Sequence, residues 1–139
     1  MDWKLELIVV PVSDQDRSKA FYVDRLGWGL IVDHRAGEDF RVVQVAPPGS
    51  DCAVALMRSA ERAGSLDGLH LVVHDVDAAR DDLVGRGAAA SEVFHFEDGV
   101  QSPGHDPEHR DYNSFFSFKD PDGNGWLVQE VRRDSVPAA

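Results

Sequence analysis

The segment 104–109, GHDPEH, holds the histidine spacing that most resembles a metal site. His105 and His109 are four residues apart, the separation of two ligands on one helical face. Pro107 lies between them and interrupts a helix, and no third ligand is near them in the sequence. The pattern therefore favours a polar loop over a metal site.

A second histidine, His70, lies in an apolar run typical of a strand. It has two readings: a ligand-binding or general-base histidine, and a half-buried strand residue bonded to a carbonyl oxygen. Cys52 is the one cysteine, and no activating base is identifiable for it. The simplest interpretation of the carboxylates in residues 75–82, DVDAARDD, is that they lie on a solvated face of a helix. Those near the start of the helix also interact favourably with its dipole.

The elements that must position these residues occur twice. Residues 7–28 contain an apolar strand, an aspartate suited to cap a helix (Asp14), a short amphipathic helix and a glycine stop. Residues 68–87 repeat this order around Asp75. In each copy two further strands flank a turn, PPGSD in the first and DPDGNG in the second.

This repeat predicts an α+β fold built from two βαβββ modules. The second copy is longer, so we place an insertion within Asp98–Asn113, which is rich in glycine and proline and predicts a long loop. We predict a single domain consisting of module one (4–58), a linker (59–67) and module two (68–131).

The composition is typical of a globular protein. The chain has 139 residues, 42% hydrophobic, with a net charge of −11. No apolar run reaches the roughly 18–20 residues that a bilayer requires, and the N-terminus does not resemble a secretory signal. The acidic charge argues against a nucleic-acid partner, and the single cysteine predicts a reducing, cytoplasmic location. The tail 132–139 is expected to fray.

Three segments together resemble the vicinal-oxygen-chelate superfamily, which includes glyoxalase I, the bleomycin-resistance proteins, the fosfomycin-resistance enzymes and the extradiol dioxygenases. The segments are VSDQDRSKAFYVDRLGW, LHLVVHDVDAARDDLVGRG and SFKDPDGNGWLVQEV, and the resemblance extends over about residues 4–131. It implies two βαβββ modules whose sheets curl into a cleft. It also implies a homodimer.

The resemblance further implies where a divalent metal would bind. The metalloenzymes of this superfamily place one His, Glu or Gln ligand on the first and last strand of each module. On this chain the four positions fall on Leu7, on Val54 or Ala55, on Gly68 and on Leu127. None of these side chains can coordinate a metal. We therefore predict that the superfamily's metal site is missing and that no cofactor is bound, with a divalent metal at another ligand set as the alternative.

The same positions define the strand faces that line the implied cleft, because side chains alternate along a strand. That face is largely apolar with two central polar groups, His70 and Gln129, as expected of a pocket for a small, partly apolar molecule. Phe94 and Phe96 are further contacts or core residues. The predicted ligand-binding residues are Leu7, Val9, His70, Tyr112, Leu127 and Gln129.

Two functions are compatible with these residues. The favoured one is a metal-independent binding protein of the bleomycin-resistance type, which sequesters a small apolar or aromatic compound. The alternative is a lyase, isomerase or dioxygenase in which His70 acts as a base or belongs to a new ligand set. Alternatively, the side chain of Gln129 forms hydrogen bonds with backbone groups at a strand end.

Overall fold

The computed structural model describes residues 1–132, which form two compact units. Unit 1 contains Met1–Leu66 and the turn Asp120–Asn124, and unit 2 contains residues 67–119 and 125–132. Each unit has a helical segment and one β-sheet, which confirms the predicted α+β class. That the two modules form one domain stays a prediction, and the fraying predicted for the tail falls almost entirely outside the described residues.

The sheet of unit 1 has four strands in the order β1-β4-β3-β2. Strands β1 and β4 are parallel, and the other neighbours are antiparallel. The buried core of this unit consists of valines and Leu56 on one sheet face together with Tyr22, whose ring lies 5.1 Å from that of Trp28. The strands are β1 Leu7–Val12, β2 Gly29–Ala36, β3 Phe40–Ala46 and β4 Ala53–Arg58.

The sheet of unit 2 has five strands in the order β5-β9-β8-β6-β7. Strands β5 and β9 are parallel, as β1 and β4 are in unit 1. The strands are β5 Leu69–Val73, β6 Phe94–Glu97, β7 Val100–Pro103, β8 Ser114–Lys119 and β9 Gly125–Glu130.

The two capping aspartates confirm the repeat at the level of local structure. Asp14 precedes α1 (Gln15–Lys19) and Asp75 precedes α2 (Val76–Gly85), with φ, ψ of −140°, 108° and −136°, 107° respectively. Each carboxylate accepts the backbone N–H three residues later, at 3.1 and 3.0 Å. After α1 the helix continues as a π-helical turn, Ala20–Arg25.

The insertion of module two contains a strand that the sequence did not predict. Strand β7 lies inside the segment expected to be a loop, and it forms a hairpin with β6 around Asp98 and Gly99, both at positive φ. Apart from the turn at Asp98 and Gly99, the part of that segment without strand structure is residues 104–113. Among residues 1–132 no helix is long and apolar enough to cross a membrane.

Candidate ligand-binding site

The strand register decides which residue of β4 corresponds to Leu127. In unit 2, His70 lies opposite Leu127 across β5 and β9. Val9 and His70 lie the same number of residues before their capping aspartates, so Val9 is the counterpart of His70 in unit 1. Val9 lies opposite Ala55 across β1 and β4. Ala55 is therefore the fourth position implied by the resemblance. Val54 points to the opposite face by strand alternation, although both Val54 and Ala55 are buried.

A divalent metal does not fit at these positions, because no side chain there has a donor atom. Within residues 1–132, moreover, no group of three or more His, Cys, Asp or Glu residues could hold a metal ion elsewhere. The four positions are occupied by Leu7, Ala55, Gly68 and Leu127.

Unit 2 has one sheet face packed against α2 and one face left open. Trp126, Val128 and Glu130 of β9 are buried on the packed face, as the strand alternation predicted. Leu127 and Gln129 point to the other side and are half-buried. We call this side the open face. By the strand register it comprises His70, Val72, Phe94, Phe96, Phe115, Ser117, Leu127 and Gln129.

Three phenylalanines form an aromatic platform on the open face. The ring of Phe94 stacks on that of Phe115 with centroids 5.4 Å apart. The ring of Phe96 meets the other two edge-on, at 6.1 Å from Phe94 and 5.8 Å from Phe115. Phe96 is 41% exposed, so the platform is open to solvent. Such a platform offers both ring faces and ring edges to a bound aromatic molecule.

Three polar side chains lie on the same sheet face as the platform. His70 and Ser117 flank Leu127 from its two neighbouring strands, and Gln129 lies opposite Phe115. In the described part of the chain, the side chains of Ser117 and Gln129 form no hydrogen bond. Their hydroxyl and amide groups are therefore available to a ligand.

His70 is oriented by a backbone carbonyl that lies just before its strand. Its Nδ1 contacts the carbonyl oxygen of Gly68, and because a carbonyl only accepts, Nδ1 carries the proton. In the neutral ring, Nε2 then has a free lone pair. The sequence prediction that His70 and Gln129 share a face is confirmed.

A cavity of about 660 Å³ adjoins the platform. Phe94 and Ser117 of the open face line it, together with residues 91–93 and 101–103. Cavities of about 300–1,000 Å³ are typical of small-molecule sites. The cavity reaches the platform only at Phe94, because Phe96 and Phe115 are not among its lining residues.

The remaining predicted residues lie outside this set. Leu7 and Val9 are exposed residues of β1 in unit 1. Tyr112 belongs to the 104–113 loop of unit 2, where its backbone N–H donates to the carbonyl of Glu130 at 2.9 Å and its φ is +66°. Their proposed contact with a ligand stays a prediction.

Each histidine of the 104–113 loop contacts a carboxylate through its Nδ1 atom. His105 Nδ1 lies 2.8 Å from Asp77 Oδ2, and His109 Nδ1 lies 2.8 Å from the buried Glu130 Oε1. Their rings stack with centroids 4.2 Å apart. Because the two rings are stacked and nearly parallel, their ring nitrogens do not point toward a common ion. The pair instead ties the loop to α2 and β9.

Sequence reasoning missed Phe115 and Ser117. Both belong to SFFSFK, in which aromatic residues occupy both strand faces, so alternation alone gives no orientation. The signal that finds them is the hairpin register around DPDGNG, which places Ser117 opposite Leu127 and Phe115 opposite Gln129.

Buried His95, between two platform residues, gives the protein a testable pH dependence. Glu97 Oε1 lies 3.0 Å from its Nε2 and the Gly104 carbonyl lies 2.7 Å from its Nδ1. These acceptors, Glu97 first, raise the pKa of His95 above 6.5. A raised folded pKa gives stabilisation that is complete below about pH 6.5 and is lost as pH rises through the folded value.

We therefore expect the free energy of unfolding to fall more steeply between about pH 6 and 9 in the wild type than in a His95→Gln variant. Urea unfolding at several pH values measures both slopes, and His34→Gln, at an exposed histidine of unit 1, is the control that keeps the wild-type slope. Equal slopes in the wild type and His95→Gln would contradict the prediction.

Comparisons with known proteins cover almost the entire chain. A family model described as Glyoxalase/Bleomycin resistance protein/Dioxygenase superfamily matches residues 4–128. A solved structure described as TnmS3, an antibiotic binding protein from Streptomyces sp. CB03234, is 34% identical with a TM-score of 0.73, over 93% of this chain and 96% of that one.

Two further proteins are similar over most of the chain. A glyoxalase/bleomycin resistance protein from the same Streptomyces is 35% identical with a TM-score of 0.69, over 91% of this chain and 100% of that one. The uncharacterized protein YetH of Bacillus subtilis (strain 168) is 27% identical over 123 residues, 88% of this chain and 94% of that protein.

Proposed function

Given that this chain belongs to the Glyoxalase/Bleomycin resistance protein/Dioxygenase superfamily, we propose that it is a metal-independent binding protein for a small aromatic compound. A fold hosts many activities, so the argument rests on the site. The similar protein TnmS3 is described as antibiotic binding, which supports sequestration as the role.

The observation that carries the proposal is the aromatic platform beside unpaired polar groups. Phe94, Phe96 and Phe115 supply ring contacts, each aromatic pair contributing about 0.5–1.5 kcal/mol beyond its buried area. Ser117 and Gln129 then orient the ligand through hydrogen bonds. This combination recognises a flat ring system that carries a hydroxyl or carbonyl group.

The charge of the site further restricts the class of ligand that can bind. Apart from His70, the residues of the open face are apolar or uncharged. An ionic group placed there would lose its hydration without gaining a partner of opposite charge. The proposed ligand is therefore uncharged where it contacts the platform.

A ligand pair with and without aromatic rings tests the proposal. We expect the untagged protein to bind 2-naphthol about 10–100-fold more tightly than decahydro-2-naphthol, because only the flat rings stack on the platform. Isothermal titration calorimetry measures both affinities. A chelator added before the titration is expected to leave both unchanged.

Three results would overturn the proposal. The first is equal affinity for the two alcohols, which would show that the platform does not take part in ligand recognition. The second is loss of 2-naphthol binding after chelation. The third is about one equivalent of a transition metal in protein purified without chelator, measured by plasma mass spectrometry.

One observation favours an enzyme as the second candidate function. The Gly68 carbonyl holds His70 with Nε2 free, as a general base requires. A lyase, isomerase or dioxygenase that uses this base would lose turnover in His70→Ala while keeping ligand affinity within a few-fold. Sequestration without turnover predicts no reaction in either protein.

A further inference from the structure

The ladder between β6 and β8 ends in an unusual way. Two residue pairs, one of them Phe94 with Phe115, form the backbone ladder. The same register would place Asn113 opposite Phe96. There the side chain of Asn113 replaces its backbone: Oδ1 accepts the Phe96 N–H at 3.1 Å, and Nδ2 donates to the Phe96 carbonyl at 3.0 Å. The amide thus acts as a substitute peptide group for β6.

A buried carboxylate fixes this amide. Asp106 is fully buried, and its Oδ2 accepts a second hydrogen bond from Asn113 Nδ2 at 3.0 Å. Arg110 donates to the same carboxylate at 2.7 and 3.2 Å, and this contact, with the bond from Asn113, lowers the pKa of Asp106 despite its burial. Asp106 therefore stays ionised, and Nδ2 of Asn113 must face it.

Phe96 depends on this support. It lies two residues before the hairpin turn at Asp98, and its N–H and carbonyl point away from β7 toward Asn113. Without the amide, both backbone groups lose their partner at the end of β6. The exposed ring of Phe96 would then no longer be held at contact distance from Phe94 and Phe115.

We propose that Asn113, held by Asp106, is a positioning residue that sets the affinity of the platform for flat aromatic ligands. It acts through the backbone of Phe96 and does not touch the ligand. This inference rests on the proposed function, since it concerns the same platform.

A double-mutant cycle tests whether Asn113 acts through Phe96. Calorimetric titration with 2-naphthol is performed on the wild type, Asn113→Ala, Phe96→Ala and the double variant. We expect Asn113→Ala to weaken binding about 5–10-fold in the wild type but less than about 2-fold in the Phe96→Ala background. A general loss of structure would weaken binding equally in both backgrounds, and that result, or no loss at all, overturns the inference.

A matched control and a second measurement complete the design. Lys119→Ala removes an exposed side chain from the far end of β8 and is expected to leave affinity unchanged. If Asn113→Ala does not fold, hydrogen exchange of the wild type decides: we expect the Phe96 amide to be protected, and more so with 2-naphthol bound. A Phe96 amide that exchanges as fast as that of Gly99 overturns the inference.

The two proposals fail separately. Equal wild-type affinity for 2-naphthol and decahydro-2-naphthol refutes the proposed function. A wild type that prefers 2-naphthol and loses that preference in Phe96→Ala but not in Asn113→Ala refutes only the positioning role.

Discussion

Asn124→Ala is expected to lower the free energy of unfolding by about 2–4 kcal/mol, because one buried amide joins three segments of unit 1. Nδ2 donates to the Pro11 carbonyl and to Asp120 Oδ2, both at 2.9 Å, and Oδ1 accepts the Leu66 N–H at 3.1 Å. Alanine leaves the Leu66 N–H without this acceptor and the Pro11 carbonyl with only its 3.3 Å bond from Gly64. Urea unfolding at pH 7, followed by tryptophan fluorescence, measures the loss.

Two further variants separate hydrogen bonding from volume. Asn124→Asp keeps the size and the acceptor but turns a carboxylate toward Asp120, so we expect at least as large a loss at pH 7. Pro121→Ala changes an exposed residue of the same turn and is expected to cost less than about 1 kcal/mol. A loss below about 1 kcal/mol in Asn124→Ala would show that the amide is not a structural link.

The same turn shows why only part of this fold is predictable from sequence. DPDGN reads as a turn in any protein, because glycine and aspartate favour turns locally. The partners of Asn124 in β1 and before β5 are distant in sequence and carry no local signal. By contrast, the helix starts at Asp14 and Asp75 were predictable, since a cap binds the backbone only three residues away.

The candidate site, too, was predictable from the sequence only in part. Residue types at the positions implied by the resemblance predict that the superfamily's metal site is missing, and alternation along β9 sufficed to place Gln129 on the face of His70. The platform was not predictable, because it forms only when the registers of β6 and β8 bring Phe94 onto Phe115. Strand β7 pairs locally, in a two-residue hairpin with β6, but its glycine- and proline-rich surroundings favour a loop.

Phe115→Ala is expected to weaken 2-naphthol binding about 30-fold, the largest effect of any single platform variant, since it removes about 2 kcal/mol of ring contact. Phe115 contacts both other rings, at 5.4 and 5.8 Å, and lies opposite Gln129 on β9. Its loss therefore removes a stacking surface and also opens the space between the platform and the polar group that orients the ligand. Calorimetric titration measures the change.

Phe115→Leu separates ring contact from apolar volume. Leucine keeps most of the buried apolar surface but no aromatic face, so the preference for 2-naphthol over decahydro-2-naphthol is expected to fall about 5–10-fold while decahydro-2-naphthol affinity stays within about 2-fold. Thermal unfolding confirms that both variants remain folded at the titration temperature. If a folded Phe115→Ala variant binds 2-naphthol as tightly as the wild type, the ligand does not use the platform. The binding site would then have to be sought on the exposed residues of β1, Leu7 and Val9.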